Sequence, residues 1–389
     1  MATLMSNYAR LPVTFTKGEG ALLWDTEGRT YIDALSGIAV CNLGHAHPNI
    51  TAAICEQAQT LVHTSNLYGI EQQRQLADKL TALTNMENAF FCNSGAEANE
   101  AMIKLARLYA RRKNITNPAI IVTHNSFHGR TLATLSASGN PKVQQGFEPL
   151  VPDFIHVPYN DIAAIQQLTQ ANIVAIMVEP VQGEGGVNVP ATDYLNQLRD
   201  ICDKQQWLLM LDEIQTGIGR TGQWVAYQHN HILPDVVSLA KGLGNGVPIG
   251  ACLARGIAAE LFAPGTHGTT FGGNPLACRT ALAVLDTIEQ DDLLQRVNAL
   301  SQRFTQRFET QLADIQGVQD IRVKGLMIGI ELDRPCTELV QQALAQHILI
   351  NVTAGNTIRL LPPFILTDSQ ADKIILTVSG LIKSFLAMH

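Results

Sequence analysis

Between Ile50 and about Leu253 the chain alternates stretches of helical periodicity with short, uniformly apolar runs, and few folds accommodate that alternation. Strands joined by crossover helices make a mostly parallel sheet. The expected strands are residues 89–92, 120–123, 173–179, 207–211, 236–240 and 250–254. Several are apolar at every position rather than every second one, so helices should cover both faces of the sheet. The two ends read differently. Residues 21–24 and 31–34 flank Asp25-Thr26-Glu27-Gly28-Arg29, whose turn chemistry predicts a hairpin outside the main sheet. After two helices between about Pro275 and Ile315, residues 321–324, 326–332, 347–351 and 357–360 predict further strands alternating with helices. The expected fold is α/β: a large unit over 49–290 with a mostly parallel central sheet, and a small α+β unit built from both termini, 1–48 and 291–389.

Composition narrows the partners. A net charge of -7 with 16% charged residues leaves no basic surplus for nucleic acid. The longest apolar runs, such as 173–178 and 208–211, fall far short of the roughly 20 residues that span a bilayer. Residues 1–15 contain Asn7, Tyr8, Arg10 and Pro12 and no apolar core of export-signal length. The 7 cysteines form no Cys-x-x-Cys pair, which suggests neither a disulfide framework nor a zinc ribbon and fits a reducing cytoplasm. Cys41, His45 and His47 have the residue types of a metal site, but Gly44 and Pro48 make the segment a turn before a helix starting near Ile50. No metal is expected.

The apolar run Leu208-Leu209-Met210-Leu211 stops abruptly at Asp212-Glu213. In an open α/β sheet ligands sit at the carboxyl ends of the strands, so Asp212 is placed to meet one, although an isolated acidic pair is usually surface loop. The next expected strand ends at Lys241, followed by Gly242-Leu243-Gly244-Asn245-Gly246, a backbone with few side chains to keep a ligand away. Lysine amines form imines with carbonyl cofactors, and pyridoxal phosphate in particular needs such a lysine together with an acid at its pyridine nitrogen. Lys241 and Asp212 supply that pair. A phosphate also needs unpaired amides, and Asn93-Ser94-Gly95-Ala96-Glu97 reads as the turn between a strand and the helix 97–111. Alone, that turn is equally well read as an ordinary helix cap. Gly217-Ile218-Gly219-Arg220-Thr221-Gly222 matches a dinucleotide pattern, but five residues separate it from the strand end, and Asp235 begins the next strand instead of ending it.

With lysine, acid and phosphate turn in place, the chain resembles the class-III pyridoxal-phosphate-dependent aminotransferases, of the fold type I transferase architecture, and most closely their acetylornithine branch. The resemblance runs nearly end to end. It rests on Leu35-Ser36-Gly37-Ile38, Gly44-His45-Ala46-His47-Pro48, Asn93-Ser94-Gly95-Ala96-Glu97-Ala98-Asn99-Glu100 and Ser126-Phe127-His128-Gly129-Arg130. Glu179-Pro180-Val181-Gln182-Gly183-Glu184-Gly185-Gly186, Asp212-Glu213-Ile214-Gln215-Thr216-Gly217, Lys241 and His267-Gly268-Thr269-Thr270-Phe271-Gly272-Gly273-Asn274-Pro275 complete it.

The resemblance implies roles for single residues. Ser94, Gly95 and Ala96 would hold the phosphate, and Phe127 would stack on the pyridine ring. Asp212 would pair with the ring nitrogen, Gln215 with the ring hydroxyl, and Glu213 and Ile214 would belong to the same cofactor site. Lys241 would join the cofactor covalently and shuttle a proton. Thr270 would reach the phosphate of the other chain in a homodimer with shared sites. Arg130 and Arg359 would bind substrate carboxylates, since a planar guanidinium grips a carboxylate bidentately. Glu184 would pair with Arg359 when the amino donor lacks a second free carboxylate, and Thr269, where many relatives have Ser, would touch substrate. The implied reaction moves the terminal amino group of N-acetylornithine to 2-oxoglutarate, a step of arginine biosynthesis that relatives extend to succinyldiaminopimelate in lysine biosynthesis. Ornithine, succinylornithine and 4-aminobutyrate aminotransferases are neighbouring readings, and an aminomutase or a non-catalytic binder are readings from other classes.

Overall fold

The computed structural model describes residues 3–388; Met1 and Ala2, which open the stretch read for an export signal, and His389 lie outside them. The strands nearest the N-terminus are β1 Phe15–Glu19, β2 Leu22–Asp25 and β3 Thr30–Asp33. The middle of the chain supplies β4 Asn88–Cys92, β5 Ala119–Thr123, β6 Phe154–Val157, β7 Ile173–Val178, β8 Leu208–Asp212, β9 Val236–Leu239 and β10 Gly250–Ala254. The last part supplies β11 Val318–Lys324, β12 Met327–Leu332, β13 Ile348–Leu349, β14 Asn351–Thr353 and β15 Thr357–Leu360.

The central sheet runs β4-β10-β9-β8-β7-β5-β6. Only β10 is antiparallel to its neighbours, so the other six strands point the same way. β5, β7, β8, β9 and β10 are buried at every position. Alternate side chains along them enter different cores. Leu209 and Leu211 join Ile121, Ile176, Leu195 and Leu198 on one face, and Leu208 and Met210 join Ile120, Val174, Met102 and Leu105 on the other. Each such aliphatic burial contributes about 1.5–3 kcal/mol, which explains why these strands read as continuous apolar runs.

Helix Gly95–Arg112 covers the second face. Its buried Ala98, Met102, Leu105, Ala106 and Ala110 recur at three- and four-residue spacing. Ser94 caps its start by accepting from the Glu97 amide at 3.2 Å, and Arg111 and Arg112 lie in its last turn, where cations suit the dipole.

Outside the central sheet the structure has two smaller sheets, one of which takes strands from both ends of the chain. The expected hairpin is β2 and β3, extended by β1 into the sheet β1-β2-β3-β13. Residues 347–351, expected as one strand, are divided. Ile348–Leu349 pairs in parallel with β3, while Asn351–Thr353 pairs with β15 in the antiparallel sheet β11-β12-β15-β14. β6 was not expected; it is a partly exposed edge strand without a continuous apolar run. Among the described residues no helix is long and apolar enough to cross a membrane.

The segment from Gly217 to Gly222 meets residues far from it in sequence. Arg220, fully buried, donates Nη1 to the carbonyls of Pro362 at 2.6 Å and Leu326 at 3.2 Å, donates Nη2 to the Asn42 side chain, and lies 4.8 Å from the Phe364 ring centroid. Burial pushes its guanidinium down to about 9. Between β3 and Val40, Ser36, Gly37, Ile38 and Ala39 all have positive φ, at 52°, 62°, 67° and 58°. Consecutive left-handed residues are costly for L-amino acids. Asp33 supports the turn by accepting from the Leu35 and Ser36 amides at 2.9 and 2.8 Å, while its other oxygen meets His45 Nε2 at 2.8 Å.

Candidate active site

Because β4, β5, β7, β8 and β9 are parallel, the segments that follow them gather at one edge of the sheet. There they enclose a cavity of about 380 Å³ lined by Ser94, Gly95 and Ala96 after β4, Phe127 to Arg130 after β5, and Glu179 and Glu184 after β7. Asp212, Ile214 and Gln215 at the end of β8 and Lys241 after β9 complete the wall, with Val40 from the left-handed turn. Its size falls in the range of small-molecule sites.

Asp212 is 3% exposed and held from three directions. Its Oδ2 accepts from Asn99 Nδ2 and His128 Nδ1, both at 2.8 Å, and its Oδ1 accepts from the Ile214 amide at 3.1 Å. A carboxylate only accepts, so the His128 proton is on Nδ1. Burial would lower the pKa of His128, but the hydrogen bond and charge of Asp212 outweigh it and hold the imidazole above its ordinary value. Neither Asn99 nor His128 was singled out from the sequence. One available signal was Asn99 on the otherwise apolar face of its helix, where an amide requires a partner.

Lys241 has φ +42° and opens a short turn that aims its amine at the cavity. Burial, reinforced by the Arg359 charge, lowers its pKa against the pull of Glu184, Asp212 and Glu179. Arg359, fully buried on β15, donates Nη1 to Glu184 Oε1 at 2.6 Å and Nε to Asn351 Oδ1 at 3.1 Å. The same Nη1 lies 3.5 Å from Gln215 Oε1, and Nη2 has no protein partner. Burial would raise the Glu184 pKa, yet Arg359 and Lys241 hold it below the ordinary carboxylate value. The Arg130 guanidinium sits 5.6 Å from the Phe127 ring centroid on the cavity wall.

Four expected site residues stand outside the cavity lining, Arg359 among them, which meets it only through Glu184 and Gln215. Glu213 is fully buried and faces away from the cavity, because successive residues at a strand end point to opposite sides. It accepts from the Tyr227 amide at 3.0 Å and from the Thr216 hydroxyl, and burial pushes its carboxyl up to about 7. Thr269 Oγ1 accepts from Asn93 Nδ2 at 3.2 Å outside the cavity lining, and Thr270 is exposed.

A buried lysine and a fixed carboxylate lining one cavity, beside a helix start, suit an enzyme that condenses an amine with a carbonyl group. The chain belongs to the class-III aminotransferases, whose family model matches residues 3–382. The acetylornithine aminotransferase of Nitrosomonas europaea is 56% identical over 388 residues, covering 99% of each chain. That of Aquifex aeolicus is 48% identical, covering 96% of this chain and 98% of its own. Among solved structures, ornithine aminotransferase of Toxoplasma gondii superposes with a TM-score of 0.96 at 34% identity, covering 100% of this chain and 94% of that one. N-acetylornithine aminotransferase of Stenotrophomonas maltophilia gives 0.86 at 33% identity, covering 99% of both.

Enzymes of this family use pyridoxal phosphate, and the donor set here fits it. Ser94 Oγ and Ser94 O occupy the amides of Glu97 and Ala98, which leaves those of Gly95 and Ala96 for an anion at the helix start. A Cβ at Gly95 would lie 2.7 Å from Ile214 Cδ1, so Ile214 would have to shift to admit one.

Proposed function

We propose that this chain transfers the terminal amino group of N-acetylornithine to 2-oxoglutarate in the cytoplasm. The observation that carries the reading is one cavity lined by Lys241, Asp212 and Glu184, with Arg359 fully buried and paired to Glu184. A second cavity of about 660 Å³ shares Phe127, Arg130 and Glu184 with the first and continues to Lys142, Thr353 and Gly355. That space suits a donor extended by an acyl group.

When bound, pyridoxal phosphate supplies an electron sink for the carbon that bears the transferred amine. Asp212, fixed by Asn99 and His128, is the group to hold positive charge on the ring nitrogen, and Gly95 and Ala96 are the groups to hold the phosphate. The lowered pKa of Lys241 keeps more of its amine neutral near neutral pH, the form that attacks a carbonyl or accepts a proton. Arg130 binds the donor's α-carboxylate at the mouth between the two cavities. Arg359 stays neutralised by Glu184 while the donor is bound and is released to grip the second carboxylate of 2-oxoglutarate.

The active unit in this reading is a homodimer. Exposed Thr270 adjoins exposed Phe271, whose ring lies 5.5 Å from His63, and Asn66 binds the carbonyls of Thr269 and Gly272. Leu67 and Tyr68, 84% and 70% exposed, extend an apolar surface suited to a second copy of the chain.

Lys241→Ala is expected to abolish turnover and the absorbance band of covalently joined cofactor. A variant that keeps both would overturn the proposal. Amino donors compared in the single half-reaction should rank N-acetylornithine above ornithine and 4-aminobutyrate.

A further inference from the structure

Glu179 is an acid of the cavity wall to which the chemistry above gives no task. It follows β7 directly, is 5% exposed, and divides its two oxygens between two separate segments. Oε2 accepts from the Phe127 amide at 3.0 Å, and Oε1 accepts from the Gly183 amide at 3.2 Å. We propose that Glu179 is a positioning residue that ties the Phe127 wall to the turn bearing Glu184, and thereby sets how readily Glu184 releases Arg359. This rests on the exchange of Arg359 partners proposed above.

The turn is fixed on every side but one. Its base is closed by paired bonds between the backbones of Gln182 and Asn188 at 3.1 and 3.0 Å, and the Gln182 side chain donates Nε2 to the His124 carbonyl at 2.8 Å. Its far side is held by Arg322, which donates to the carbonyls of Gly186 at 2.8 Å and Val187 at 3.1 Å. At the apex, Thr353 donates to the Glu184 carbonyl. A Cβ on Gly183 would come within 2.2 Å of Gln215 Oε1, so the backbone there is pressed against Gln215. Glu184 leaves Arg359 by turning its part-exposed side chain, and any backbone shift at Gly183 that assists this is restrained by the Glu179 bond to the Gly183 amide.

The restraint responds to protons. Burial, with the Asp212 charge added and His128 opposing, pushes the Glu179 carboxyl up to about 7. The other titratable groups facing it are the Lys241 amine and Tyr159, whose hydroxyl donates to the Glu179 carbonyl at 3.0 Å. As a carboxylate Glu179 accepts from both amides; once protonated, which its raised pKa brings toward neutral pH, one oxygen becomes a hydroxyl, a poor acceptor, and one tether slackens.

Glutarate, an unreactive dicarboxylate of five carbons, reports whether Arg359 is free to bind it. Calorimetry on wild-type holoenzyme should show tighter glutarate binding at pH 6 than at pH 8, by about 3- to 10-fold, the worth of one hydrogen bond. Glu179→Gln should bind glutarate as tightly at pH 8 as wild type does at pH 6, with no pH dependence, a lowered KM for 2-oxoglutarate and an unaltered cofactor spectrum. Wild-type pH dependence in the variant overturns the proposal, as does a parallel change in the KM of donor and acceptor. Should Glu179→Gln fail to fold, Glu179→Asp, too short to span both amides, must still tighten glutarate at pH 8. Wild-type affinity there overturns it equally. If instead N-acetylornithine is not turned over by wild-type enzyme, it is the reaction assigned above that fails.

Discussion

Asp212 and Glu213 are neighbours with opposite surroundings. Asp212 is held by Asn99, His128 and the Ile214 amide at the cavity, whereas Glu213 is sealed in the interior with its carboxyl pushed up to about 7 by burial. Its unfolded value is about 4.3, so the folded chain binds the proton more tightly, and the stability this group contributes falls as pH rises from about 4.3 to 7. Glu213→Gln removes that titration. The melting temperature of the variant relative to wild type should rise by roughly 2 °C or more between pH 5 and pH 8; a constant difference would refute the assignment. At this scale Lys241 and Asp212 were legible because strand ends mark ligand positions. His128 and Glu179 were not, because their functions lie in partners distant in sequence, Asp212 for one and the Phe127 and Gly183 amides for the other.

The helix from Gly95 was expected nearly to its bounds, since a capped, periodic segment declares itself, and the anion cradle proposed at its start has no side chain at Gly95. Gly95→Ala puts a methyl 2.7 Å from Ile214 Cδ1. Pyridoxal phosphate affinity should fall at least about 10-fold, roughly the loss of one or two charge-assisted hydrogen bonds, while helix content by circular dichroism stays as in wild type. Adding Ile214→Ala should restore part of the affinity; no recovery would place the fault elsewhere. The strands that escaped the sequence reading are those whose pattern comes from neighbours rather than from themselves. β6 is an edge strand with one buried residue, and the left-handed turn at Ser36 to Ala39 depends on Asp33 and carries no glycine-rich signal beyond Gly37.

Across the whole molecule, the glycine-rich segment that mimics a nucleotide motif works as a clamp. Arg220→Met would leave the Pro362 and Leu326 carbonyls and the Asn42 side chain without their shared donor. Chemical denaturation should show a loss of about 2–4 kcal/mol, in the range for a buried charged donor whose partners are orphaned; an unchanged midpoint would contradict the clamp. The proposed dimer has its own test. Lys241→Ala and Thr270→Ala chains, each inactive or weak alone, should regain activity when mixed and refolded together, because one site in the hybrid draws Lys241 and Thr270 from unmutated positions. Additive residual activities would count against shared sites.

The first sheet is completed by Ile348–Leu349, which lies beside Ile32 and Asp33. During synthesis, then, the hairpin emerges with an open edge and waits until Ile348 has left the ribosome before its last partner arrives. Truncations that stop short of Ile348 should accumulate as self-associating fragments.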